Sequence, residues 1–288
     1  MEKQKEIVKI PVSGRIAKMS WHRKEISERN KKTMKILALD SSGLVASVAV
    51  VENDTLLAEY TVNYKKTHSQ TLLPMLDEIS NMTELDLSTI DAIAVAGGPG
   101  SFTGLRIGSA TAKGLGLALE KPLISIPTTA AIAYNIWDTD KFVCPIMDAR
   151  RNQVYTGVYC YTDHRLDTVW EQDTMSIEAL AEGLNCLDHE VIFLGDGVAV
   201  YREKLEALLT IPFSFAPAHV NRQRAAAVGA LAEVYYKEGK IQTAEEHEPE
   251  YLRKSQAERE RAERESVKAC RCGEKTGERR KKANDHNP

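Results

Sequence analysis

The chain has 288 residues, with 38 Lys and Arg against 41 Asp and Glu, so it can bury a full core and is near neutral overall. That charge is unevenly spread: residues 1–33 hold 10 basic and 4 acidic side chains, residues 253–288 hold 12 and 7, and residues 34–252 keep 16 and 30. An acidic body disfavours unaided nucleic-acid binding, which needs a basic footprint, and no apolar run approaches the ~20 residues of a membrane-spanning helix.

Residues 1–33 lack sustained periodicity and read as a flexible extension, or as the product of an upstream start codon. They have no apolar core of the secretory type, so the expected compartment is the cytoplasm. The first lobe is expected over 34–137. It opens with a strand, Lys35–Asp40, that ends on an acid, followed by a small polar turn at Asp40-Ser41-Ser42-Gly43. Strands Val45–Glu52 and Thr55–Asn63 come next. In Thr67–Met82 the residues Leu72, Met75, Leu76, Ile79 and Met82 make a helical stripe, with Pro74 in the first turns where its missing N–H matters least. Asp91–Ala96 reads as a strand, and a Gly-Gly-Pro-Gly turn with Ser101 as N-cap leads into a helix over Phe102–Leu119. A strand at Leu123–Ile126 and a helix at Thr128–Ile136 close this half.

The same order then repeats over 138–253. Phe142–Asp148 is an apolar strand ending on an acid, and Asn152–Tyr161 and Arg165–Gln172 are its neighbours. Ser176–Leu184 is helical, Val191–Leu194 is a strand, and Gly195-Asp196-Gly197 is a tight turn. A helix Val200–Leu209, a short strand at Phe213–Phe215 and a helix Arg224–Lys237 follow. Residues 254–288 are rich in Lys, Arg and Glu with few apolar side chains, and are expected to be a disordered basic tail.

Gly104, Gly108, Ala112 and Gly116 recur every four residues, which places them on one stripe of a helix. Each interior glycine costs about 1 kcal/mol against alanine, so the helix that also carries Gly114 needs a compensating gain. Two gains fit: internal close packing, or a docking face for a second chain. A phosphate loop fits less well, because a Walker A loop requires Gly-Lys where this chain has Gly104-Leu105.

A duplicated βββαβα lobe with an acid ending each first strand is the plan of the two-lobed actin and sugar-kinase ATPase superfold, an α/β architecture. There the turns after the two acids wrap phosphate, which asks for glycine where backbone N–H groups approach closely. Asp40, Ser41 and Ser42 make a passable first loop. The second, with Asp148 and Arg150, contains no glycine, so an active ATPase site is not expected. Gly195, Asp196 and Gly197 fall where the superfold touches adenosine. These eight positions read as vestigial nucleotide loops. The seven histidines include no i, i+4 pair for a metal, and His68 reads as a helix-start residue. Cys144, Cys160 and Cys186 suit buried thiols, and Cys270-x-Cys272 lacks a second pair at metal-ligand spacing. No Gly-x-Ser-x-Gly elbow is present. No catalytic residue and no metal site is expected.

Several stretches resemble the TsaB family of the bacterial tRNA threonylcarbamoyladenosine machinery. They are KILALDSS at 35–42, THSQTLLPMLDEI at 67–79, AVAGGPGSFTGLRIG at 94–108, KGLGLAL at 113–119, MDARRNQVYTGVY at 147–159, GDG at 195–197 and PEYLR at 249–253. The resemblance covers 34–253. It implies a non-catalytic subunit that pairs with a TsaD-type transferase, with a TsaE-type ATPase completing the assembly. It implies tRNA contact only through that complex, ATP used by the complex, and no tightly bound cofactor of this chain. Pairing in the family uses the two first-lobe helices, which makes Leu72, Met75, Ile79, Phe102, Gly104, Leu105, Gly108, Ala112 and Gly116 the expected partner interface. The same face could form a homodimer when the partner is absent. A small-molecule kinase of the same superfold and a metallopeptidase-like protein are the competing readings.

Overall fold

Two five-stranded sheets carry the described part of the chain, residues 33–64 and 67–252 of the computed structural model. The first contains β1 (Lys35–Asp40), β2 (Ala46–Glu52), β3 (Thr55–Val62), β4 (Ala92–Gly98) and β5 (Leu123–Pro127), in the order β3-β2-β1-β4-β5. The hairpin β1–β2 is antiparallel, with Lys35 opposite Glu52 and Asp40 opposite Ser47, while β4 and β5 join in parallel. The second contains β6 (Phe142–Arg150), β7 (Gln153–Thr162), β8 (Arg165–Ser176), β9 (Val191–Leu194) and β10 (Phe213–Phe215). Its order, β10-β9-β6-β7-β8, is the first sheet's order again, with β6 in the place of β1. The duplicated lobe of the actin-like plan is therefore present in both halves.

Among the described residues six α-helices cover the sheets: α1 (Leu72–Thr83), α2 (Phe102–Leu119), α3 (Thr128–Ala133), α4 (Ile177–Leu187), α5 (Val198–Leu208) and α6 (Ala225–Lys237). Alternation along β1 sends Leu37 and Leu39 to one face and Ile36 and Ala38 to the other, and both faces are buried. Leu37 and Leu39 join Val48, Leu72, Met75, Ile79 and Ala112 in one cluster. Ile36 and Ala38 join Val143, Met147, Val228 and Leu231, a cluster that ties the lobes together.

That second face corrects the expected lobe boundary. The sequence order puts α6 in the second lobe, but the helix packs on the first sheet: a Cβ on Gly229 would stand 2.7 Å from Val51 Cγ2. Ala225 N donates to Ser47 Oγ at 2.9 Å, both Glu233 oxygens accept from Asp54 N at 3.0 Å, and Arg224 pairs with Glu59 on β3. The cause is that sheet one is apolar on both sides and α1 with α2 covers only one of them. Beyond α6 the chain stays on this lobe. Leu123 and Gln242 exchange backbone hydrogen bonds at 2.8 and 3.0 Å, and Glu250 N donates to Gly97 O at 2.7 Å.

Element bounds differ at a few ends. The run Thr67–Met82 divides into a 3₁₀ turn, His68–Gln70, and then α1, while β6 and β8 run on to Arg150 and Ser176. The expected extension lies outside the described residues but for Thr33, as does the whole basic tail.

Candidate functional site

Loop one follows directly from the polar end of β1. Asp40 is fully buried; its Oδ1 accepts from Ser42 N at 2.9 Å and from Ser42 Oγ at 2.7 Å, while Oδ2 has no partner. Burial pushes the Asp40 carboxyl up to about 6, with Asp196 adding to the rise and the Ser42 bonds and His68 opposing it. Ser41 Oγ donates to Gly104 O at 2.9 Å, and Ser42 O accepts from Ser101 N at 2.6 Å. The Ser42 amide and carbonyl are thus both spent inside the fold. His68 stands at the entry to α1, as the sequence suggests, with Nε2 2.9 Å from Gly43 O.

Ser101 caps α2 through Gly104 N at 3.4 Å. The small-residue stripe of α2 then turns inward. A Cβ on Gly104 would overlap the Ser41 carbonyl oxygen, one on Gly108 would overlap Ser41 Oγ, and one on Gly116 would stand 2.9 Å from Leu123 Cδ2. Ala112 and Leu105 are buried in the same way. This corrects the expected interface. Gly104, Leu105, Gly108, Ala112 and Gly116 face the chain's own first loop and sheet, and Leu72, Met75 and Ile79 are 1 to 4 % exposed in the core. Phe102 is half-buried, and its ring lies tilted against that of Tyr251, 4.7 Å between centroids.

The outer faces of these helices carry other residues. Thr103, Arg106, Ala110, Gly114, Leu117 and Ala118 are exposed on α2, with Leu73 and Met82 on α1. Leu73, Met82 and Leu117 are 54, 77 and 61 % exposed, and a Cβ on Gly114 would meet nothing within 4 Å. Sequence reasoning missed this face because it followed the four-residue spacing. Gly114, off that spacing, was the available signal.

Loop two is built differently from loop one. Asp148 is exposed; its Oδ1 accepts from Arg150 N at 2.8 Å and from Tyr201 OH at 3.1 Å. Arg150, Arg151 and Asn152 all have φ near +60°, a left-handed turn without glycine. The Gly195-Asp196-Gly197 turn comes to the same place. Asp196 Oδ1 accepts from Asp148 N at 3.1 Å, and Gly197 N donates to Ile146 O at 3.0 Å. Gly195 has φ +104° and its Cβ would overlap Ile146 O, so glycine is required there. Burial raises the Asp196 carboxyl and the Asp148 charge adds to that, against the Asp148 amide bond and Arg222.

The three loops therefore meet, as the sequence suggests, around a cleft of about 650 Å³ between the lobes, with the N-terminus of α2 and Glu250, Tyr251 and Leu252 as its remaining walls. Its charged groups are the carboxylates of Asp148, Asp196 and Glu250 and the guanidinium of Arg150. Among the described residues no group of three or more His, Cys, Asp or Glu side chains is placed to hold a metal ion, and no helix is long and apolar enough to cross a membrane. Cys144 lies buried against Thr156 at 3.4 Å, and burial pushes its thiol up to about 12, which keeps it unreactive.

A family model described as "TsaD: tRNA N6-adenosine threonylcarbamoyltransferase" matches residues 55–261. The chain is 32% identical over 225 residues to the tRNA threonylcarbamoyladenosine biosynthesis protein TsaB of Bacillus subtilis (strain 168), spanning 78% of this chain and 96% of that protein. With the protein of the same name from Escherichia coli (strain K12) it shares 30% identity over 232 residues, again 78% and 96% of the two chains. Among solved structures, YeaZ from Pseudomonas aeruginosa superposes with a TM-score of 0.66 at 28% identity, covering 76% of this chain and 100% of that one.

Proposed function

We propose that this chain, which belongs to the TsaB family of tRNA threonylcarbamoyladenosine biosynthesis proteins, acts as the non-catalytic scaffold of that modification, pairing with a TsaD-type transferase. The observation that carries the reading is the outer face of α1 and α2. An exposed helix interior holds Gly114 with open space above its Cα, between Ala110 and Ala118 and one turn from the exposed Leu117, while α1 exposes Leu73 and Met82. A glycine there costs about 1 kcal/mol and returns nothing among the described residues, which is the pattern of a surface made for close approach by another helix. In the absence of the partner, two copies of this chain can pair through the same face.

The cleft supports the non-catalytic half of the reading. Loop one uses its Ser42 amide and carbonyl on its own side chains and on α2, and loop two holds non-glycine residues in a left-handed turn. In each loop one backbone amide is already spent on the loop's own aspartate, Ser42 N on Asp40 and Arg150 N on Asp148, which leaves fewer to cradle a polyphosphate. In this reading a TsaE-type subunit uses the ATP, and the tRNA is held by the complex, in keeping with the acidic body.

Reconstitution of tRNA modification from the purified subunits tests this. Modification should require this chain and should survive Asp40→Asn and Asp148→Asn in it. Loss of modification in those variants, with ATP turnover by the wild-type chain alone, would favour a kinase of the same superfold instead.

A further inference from the structure

We propose that the inter-lobe cleft is the docking site for the guanidinium and ammonium groups of this chain's own basic segment, which begins at Arg253. The described chain ends in the cleft wall. Glu250 is fixed there by its amide on Gly97 O at 2.7 Å and by Gln172 Nε2, which donates to Glu250 Oε2 at 2.7 Å. Tyr251 stacks on Phe102, and Leu252 completes the wall. The basic segment is joined in sequence directly to Leu252, so no linker separates it from the cleft wall.

The charges are complementary. Asp148, Asp196 and Glu250 line the cleft, against Arg150 in the wall and Arg222 acting on Asp196. Residues 253–264 bring Arg253, Lys254, Arg259, Arg261 and Arg264 against three glutamates. A second feature points the same way. Asp40 Oδ2 and both amide atoms of Gln223 are fully buried without a hydrogen-bond partner. Gln223 Nε2 and Asp196 Oδ2 converge on Gly43, at 2.5 and 3.5 Å from where its Cβ would stand, and Gly43 lines the cleft. Two of these three atoms, Asp40 Oδ2 and Gln223 Oε1, are acceptors and favour a group rich in donors, and a guanidinium brings five. Attachment in the same chain raises the local concentration of that group to the millimolar range.

Hydrogen–deuterium exchange on the full chain tests this, comparing wild type with the tail-reversed variant Arg253→Glu/Lys254→Glu/Arg259→Glu, which leaves the described body unaltered. In low salt the amides of 42–44 and 147–150 should exchange several-fold faster in the variant, and in wild type at high salt. Adding Asp148→Arg to the tail-reversed chain should restore slow exchange by swapping the two charges. Wild-type exchange rates in the tail-reversed chain, or a charge swap that restores nothing, would overturn the proposal. So would a tail-reversed chain that keeps wild-type exchange but loses tRNA retention in a gel shift, because the segment's partner would then be nucleic acid.

Discussion

Ser41 Oγ donates to Gly104 O at 2.9 Å, and a Cβ on Gly104 would overlap the Ser41 carbonyl oxygen. Loop one and the first turn of α2 are thus a single packed unit, and the glycine stripe exists to let them meet. Gly104→Ala and Gly108→Ala should destabilise the chain by about 1–3 kcal/mol each through overpacking, read from the urea midpoint. Gly114→Ala, with nothing within 4 Å of its Cβ, should raise stability by up to about 1 kcal/mol. Equal destabilisation by all three would mean the stripe is misread.

Asp40 sets a pH dependence. Its folded carboxyl is raised to about 6 from an ordinary 3.8, so between those values the folded state binds more protons than the unfolded state. Stability therefore falls as pH rises from about 4 to about 6 and is flat above, with a cost on the order of 3 kcal/mol from this group at pH 7. Asp40→Asn keeps an acceptor for Ser42 and removes that titration. Urea midpoints across this window should show the variant gaining on wild type as pH rises; parallel curves would rule out Asp40 as the source.

Glu59 anchors α6 to the first lobe. Its carboxylate pairs with Arg224 and accepts from Ala226 N at 3.1 Å, and its side chain is only 11 % exposed. The Arg224 guanidinium is correspondingly raised, chiefly by its hydrogen bond to Glu59. Glu59→Ala should cost about 3 kcal/mol, because it strands a half-buried guanidinium and an orphan helix-start amide. Glu59→Gln should cost less, and identical losses would show that charge plays no part.

The fold was legible because it is periodic. Apolar alternation in β1 and the stripe Leu72-Met75-Ile79 each point to one element, and the repeat from Asp40 to Asp148 marks the duplication. The α6 crossover was not legible, since both sheets need a helical cover and the chain order alone does not say which receives it. The proposed partner face was half legible. A glycine every four residues signals close approach, but sequence does not say whether the neighbour is Ser41 of the same chain or a helix of another. The meeting of Asp148 with Asp196 follows from the superfold, while the close approach of Gln223 to Gly43 depends on a contact across 180 residues that no local pattern carries.

The most direct test of the scaffold reading is light scattering after co-purification of this chain with a TsaD-type subunit. The set includes Leu117→Arg on the outer face of α2 and Leu208→Arg on α5 as a control, since both leucines are exposed. The scaffold account predicts a mixed complex for wild type and Leu208→Arg. It predicts none for Leu117→Arg, at an unchanged melting temperature. A wild-type chain that forms no mixed complex, or a Leu117→Arg chain that binds as wild type does, would contradict it.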